Sequence, residues 1–150
     1  MSEAINPKAA AVTSFCADIL ITFAEGGWGS WYRLHEYKWA KDGADFNAPV
    51  EACADPAGTF VVISNSEADN KAERKKRHKL TPVEIEAVVK KLVDPTVSSK
   101  ELALHSRYRA TVFAAYSKCL NGDEFAAGDI DAELADYIVQ VAIFGSVIFS

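Results

Sequence analysis

Trp28, Trp31, Tyr32, Tyr37 and Trp39 fall within a dozen positions, with Arg33 and His35 among them. Aromatic faces beside a guanidinium and an imidazole have the chemistry of a stacking platform for bases or of a protein-binding hot spot. The same residues also read as core. A period of two puts Trp31, Arg33, His35, Tyr37 and Trp39 on one face of a strand, with Tyr32, Leu34, Glu36 and Lys38 on the other. Alternation then sends Trp31, Tyr37 and Trp39 into a sheet core. Trp28, set between glycines, is left as the exposed exception.

Other residues with chemical potential are sparser. The three histidines, His35, His78 and His105, share no HExxH-type spacing, so no metal site is indicated. Ser64, Ser66 and Ser98 lack the glycine pattern of a nucleophile elbow. His35 beside Glu36, or His105 beside Arg107, would need a carboxylate brought close in space for acid–base work. Gly26-Gly27-Trp28-Gly29 is glycine-rich but follows a helix, whereas a phosphate cradle precedes one. No cofactor motif is present, and no catalytic residue is assigned.

Two polar residues stand apart from these. Asp136 and Gln140 lie one turn apart on an otherwise apolar helix, where unpaired polar groups would be costly. That placement predicts buried hydrogen bonds to backbone or to residues 28–32, with a ligand pocket as the alternative. Charge is also segregated. Arg74-Lys75-Lys76-Arg77-His78-Lys79 is a basic run diluted by Glu67, Asp69 and Glu73, and it reads as a solvated segment or a patch for an acidic partner. Asp123, Glu124, Asp129, Asp131, Glu133 and Asp136 follow the last basic residue, Lys118. They could mimic nucleic-acid phosphates, although two of them sit where helix caps belong.

The chain of 150 residues fits one domain able to bury a core, and its net charge of -5 argues against general binding to a phosphate backbone. Cys16, Cys53 and Cys119 are odd in number and form no CxxC pair. They fit reduced core thiols in a cytoplasmic protein. The N-terminal residues lack the basic region of a signal peptide. The most apolar stretch, 137–149, is shorter than the ~20 residues a membrane span needs, so no membrane association is expected.

The elements that must position these residues follow from periodicity. Residues 8–24 have helical spacing and stop at Gly26-Gly27. Strands are expected over 28–40, 50–54 and 59–64, joined by turns at Asp42-Gly43 and at 55–58, as a three-stranded meander. Residues 66–79 are expected as an exposed charged loop. Thr81, Pro82 and Glu84 form a capping box with proline at the first helical position. Asp94-Pro95 ends that helix. A long helix is expected from Ser98 or Ser99 to about Leu120, with Leu102, Leu104, Tyr108, Val112, Phe113 and Tyr116 as core. A final helix, capped by Asp129 or Asp131, should run to Phe144, with 146–150 as a last strand. The expected class is α+β, with a small antiparallel, three-stranded sheet packed on three to four helices.

Three patches carry a family resemblance: Glu25-Gly26-Gly27 with Trp31-Tyr32; Leu80-Thr81-Pro82 with Ile85; and Asp129-Ile130-Asp131-Ala132 leading into Ala135-Asp136-Tyr137-Ile138-Val139-Gln140 and Phe144-Gly145. In these the chain resembles a family of small proteins carried by actinobacteriophages and their actinobacterial hosts. Members commonly have an isoleucine-glycine-tyrosine-tryptophan run after the glycines, where this chain has Trp28-Gly29-Ser30-Trp31. The resemblance implies a phage or prophage setting and transfers no activity. The expected function is therefore binding to a host protein or defence component through Trp28, Trp31 and Tyr32. The alternative is a small enzyme or ligand-binding module using His35, Glu36 and Tyr37 beside the sheet. An assembly protein sealed by its apolar C-terminal stretch is a third reading, and the oligomeric state is not legible.

Overall fold

The computed structural model describes residues 6–39 and 55–150. The fold is α+β, with a three-stranded antiparallel sheet of order β1-β2-β3 and, among the described residues, six helices. In chain order these are α1 (Pro7–Gly26), β1 (Tyr32–Lys38), β2 (Phe60–Asn65), α2 (Lys71–Lys75), β3 (His78–Leu80), α3 (Pro82–Leu92), α4 (Ser99–Leu102), α5 (Ser106–Leu120) and α6 (Ala132–Phe144).

The core forms around α1, whose Val12, Phe15, Cys16, Ile19, Leu20 and Phe23 recur at helical spacing and are all buried. This face packs on α3, α5, α6 and β2. By length and composition alone α1, rather than the 137–149 stretch, is apolar enough to cross a membrane. α3 starts as its residues dictate: Thr81 caps it, and the Glu84 carboxylate accepts from the Thr81 N–H at 2.8 Å. Its C-terminal end is clamped from a distance. The Arg109 guanidinium, on α5, donates to the carbonyls of Leu92, Asp94 and Val97 and to the Ser99 hydroxyl, filling carbonyls that a helix end leaves open.

Some expectations fall outside the described residues and others need correction. The 50–54 strand and the Asp42-Gly43 turn, like Cys53, lie outside the described residues. The third strand of the described sheet is His78–Leu80, which pairs with Val61, Val62 and Ile63. The segment read as an exposed loop thus contains a helical turn and a strand, because β2 is buried through Val61–Ser64 and its second backbone edge needs partners. The long helix is broken into α4 and α5. Leu102 and Leu104 are both buried, yet residues two apart on a helix point about 200° apart. Ala103 turns left-handed (φ 52°) between them, and the His105 side chain recaps the chain by accepting from the Arg107 N–H.

α5 then buries Val112, Ala115 and Cys119, so Phe113, one position off that face, is exposed while Tyr108 and Tyr116 are partly buried. Of the two candidate caps for α6, Asp131 holds the Leu134 N–H at 2.8 Å, while Asp129 pairs with Lys118 at 2.9 Å. Residues 146–150 form no strand. Their backbone is held by Leu102 and by the Gln140 side chain.

The burial pattern is testable by denaturant unfolding. Phe23→Ala should cost about 3–5 kcal/mol, whereas Phe113→Ala should stay within about 0.5 kcal/mol of wild type. Equal losses would contradict the facing of α5.

Candidate functional site

α1 ends at Gly27, which adopts the left-handed conformation (φ 58°) and reverses the chain toward β1. Gly29 follows where a β-carbon would collide with the Asp136 carboxylate and the Trp31 ring. The tight turn lets Trp31 drop into the core, 3 % exposed, while Trp28 remains 53 % exposed above it.

Beneath the turn lies a buried network. The Trp31 indole N–H donates to both Asp136 oxygens at 3.1 Å, and the Gln140 amide donates to Asp136 Oδ1 at 2.6 Å. Gln140 also donates to the Phe149 carbonyl at 2.8 Å, and its oxygen accepts from the N–H groups of Ile148 and Phe149 at 2.9 and 2.8 Å. The amide therefore substitutes for a neighbouring strand and straps the 148–149 backbone to α6. Phe149 in turn stacks on Trp31, with ring centroids 5.5 Å apart and planes 9° from parallel. Burial raises the Asp136 carboxyl above its ordinary value, against the opposing pull of Gln140 and Trp31. The expected bond between this helix and the aromatic turn is present, and it also reaches residues far beyond the turn.

Trp28, Gly29 and Ser30 form one wall of a cleft of about 650 Å³, with Ile148 and Phe149 on another and Glu67 and Asp136 among its lining. Ile148 is 53 % exposed, so two of the exposed large apolar side chains border the same opening. Tyr32 is half-buried against Phe23, with ring centroids 4.7 Å apart. Its phenol is raised by burial and, secondarily, by Asp136. The Tyr37 hydroxyl donates to Glu25 at 2.9 Å.

His35 faces a different opening. The β1–β2 register pairs Leu34 with Ile63 and Glu36 with Val62, so His35 is the extra residue of a β-bulge. The bulge overturns strict alternation along β1. Tyr37 falls opposite Val61 while Arg33 falls opposite Ser64, so Arg33 and Tyr37 no longer share a face as a period of two requires. His35 Nε2 and the buried Ser64 hydroxyl share a hydrogen bond of 2.8 Å. The pair borders a cleft of about 480 Å³ lined by Arg33, Ser66, Arg74, Lys75 and Arg77. Partial burial, then Arg77 and Arg33, hold the imidazole below its ordinary value, with Glu36 pulling the other way.

The five residues singled out from sequence thus divide between places. Trp28 and Trp31 share the first cleft, one on its rim and one in its wall. His35 belongs to the second, and Tyr32 and Tyr37 line neither. Glu36 lies opposite Val62, and it is the Ser64 hydroxyl that approaches His35. Arg33, expected beside the aromatics, instead lines this basic recess, and Ser64 had no functional reading, although a serine closing the β-branched run Val61-Val62-Ile63 is a visible polar anomaly. Of the C-terminal acids, Asp123, Asp131 and Glu133 accept hydrogen bonds, Asp129 pairs with Lys118 and Asp136 is buried, so few are free to imitate phosphates.

Set against family models, curated proteins and solved structures, the chain matches none.

Gln140→Glu should place a carboxylate against Asp136 and cost about 3–5 kcal/mol at neutral pH, with recovery in acid as one group protonates and donates again. Unfolding at two pH values checks this, and an equal loss at both would contradict it. In the wild type, the raised Asp136 value means its contribution to stability is full below the unfolded value of 3.8 and is lost as pH rises through the folded value. For His35, an NMR titration should give a midpoint below 6.5 that moves up in Arg77→Ala. A midpoint unchanged by that substitution would contradict the assigned cause.

Proposed function

We propose that the protein acts by binding rather than by catalysis, as a phage or prophage accessory factor that engages a host protein in the cytoplasm through the surface centred on Trp28. One observation carries this reading. Trp28 and Ile148, each about half exposed, flank a cleft whose floor is immobilised by the Trp31–Asp136–Gln140 network. A large aromatic held on a rigid base loses little entropy when a partner covers it, which is the physical profile of an interface hot spot. The cleft contains Glu67 and Asp136 and no Lys or Arg. Its chemistry suits a partner that inserts an apolar side chain together with an N–H or cationic group. Trp31, named from sequence as a contact, supports this surface from beneath.

The experiment is affinity capture from nuclease-treated actinobacterial lysate with wild type and Trp28→Ala, followed by titration of the purified captured protein against both. Trp28→Ala should leave folding stability within about 0.5 kcal/mol while weakening the complex about 30-fold or more. A complex equally tight with both chains would refute the Trp28 surface. A large loss of folding stability would make Trp28 part of the core instead.

A further inference from the structure

The cleft on the outer side of β1 and β2 is independent of the Trp28 surface and chemically unlike it. Arg33 approaches from β1, Arg74 and Lys75 from α2, and Arg77 from the link to β3. Among the described residues none of these four cations forms an ion pair, whereas Lys90 and Lys118 each find a carboxylate. No Asp or Glu is part of the lining. Gathering four unneutralised charges in one recess is electrostatically unfavourable in any chain, and more conspicuous in one whose net charge is -5. A bound anion removes that cost.

The remaining groups have matching chemistry. Ser64, Ser66 and His35 are part of the same lining; the Ser66 hydroxyl, and whichever member of the His35–Ser64 pair does not donate in their shared 2.8 Å bond, can donate to oxygen. The Arg74 guanidinium donates from Nη1 to the Ala68 carbonyl at 2.8 Å, and its other N–H groups remain available as donors at the recess. Planar guanidinium forks beside hydroxyl donors suit the oxygens of a tetrahedral dianion. The volume, about 480 Å³, is in the range of small-ligand sites. It is compact for a surface that tracks a polymer backbone.

We propose that this cleft is a binding site for a single phosphate group, either inorganic phosphate or the phosphate of a small organic monoester. The basic run of the sequence serves it only in part. Arg74, Lys75 and Arg77 line the recess, while Lys79 lies over the Phe60 ring at 4.5 Å. The turn from α2 into β3 is what sorts these neighbours in sequence to different places.

The test follows His35 and backbone amide resonances of the full chain during titration with inorganic phosphate, adenosine monophosphate, and single-stranded oligonucleotides of increasing length. Saturable shifts at His35, Ser64 and Ser66 with phosphate or the monophosphate are expected. Tighter binding of phosphate itself identifies the free anion as the ligand, and tighter binding of the monophosphate identifies an ester. Arg33→Ala combined with Arg77→Ala should weaken either by at least about tenfold. Both side chains are exposed and carry no ion pair, so the fold should persist, which the amide spectrum checks directly. Lys118→Ala, outside the cleft, should leave affinity unchanged. No saturable shift with phosphate or monophosphate, or equal affinity in the double variant, would overturn the proposal. So would affinity that grows steadily with oligonucleotide length while the small ligands fail to bind, which would make the surface a nucleic-acid track.

Discussion

Gln140 is fully buried on a helix that is otherwise apolar, and its amide has to find partners for two donors and an acceptor without water. It finds them in Asp136 and in the 148–149 backbone, while the second side of Asp136 is met by the Trp31 indole. Each group is unaffordable alone and stable only in company. Among the described residues no buried side-chain nitrogen or oxygen is left without a partner. Meeting that condition forces several features at once: glycine at 29, tryptophan at 31, and a chain after Gly145 that folds back over α6. It joins the aromatic turn to residues more than a hundred positions away.

The same constraint shapes the first cleft. Because the carboxylate must sit beneath Gly29, the turn cannot close over it with a side chain, and an opening remains beside Trp28. Exposure of Trp28 and burial of Trp31 are therefore two consequences of one packing solution. The second cleft has a different origin. One extra residue in β1 displaces His35 from the regular pleat and places it against Ser64, and the short α2 lays its cations along the rim. Two recesses of opposite electrostatic character thus adjoin one small sheet. The proposed partners differ accordingly: an apolar and donor-bearing protein surface for one, a phosphate group for the other.

Much of the scaffold was legible in advance. The helical period of α1, the Thr81-Pro82-Glu84 start of α3, a cap for α6 at Asp129 or Asp131 and the α+β class are local statements, each resting on residues within a turn or two of one another. Even the burial of Asp136 and Gln140 could be anticipated, since two polar groups on an apolar face need each other or a nearby donor. What failed were places where a distant partner overrode the local pattern. The break at Ala103 appears only when Leu102 and Leu104 both have to reach the core. Strand β3 exists because β2 offers an unpaired edge, and nothing in His78-Lys79-Leu80 itself announces a strand. Arg109 gave no hint that its guanidinium would hold the end of α3.

By itself, then, the sequence determined the helical run of α1, the capped start of α3 and the final helix, and that two polar groups on α6 would be paired inside the protein. These depend on interactions a few residues long, which periodicity records directly. Only the tertiary structure decided that Phe149 is the ring stacked on Trp31, that His35 bulges toward Ser64, and that three members of a basic run converge with Arg33 on one recess. Such juxtapositions are settled by competition among all surfaces for burial and for backbone partners, and that competition leaves no periodic trace along the chain.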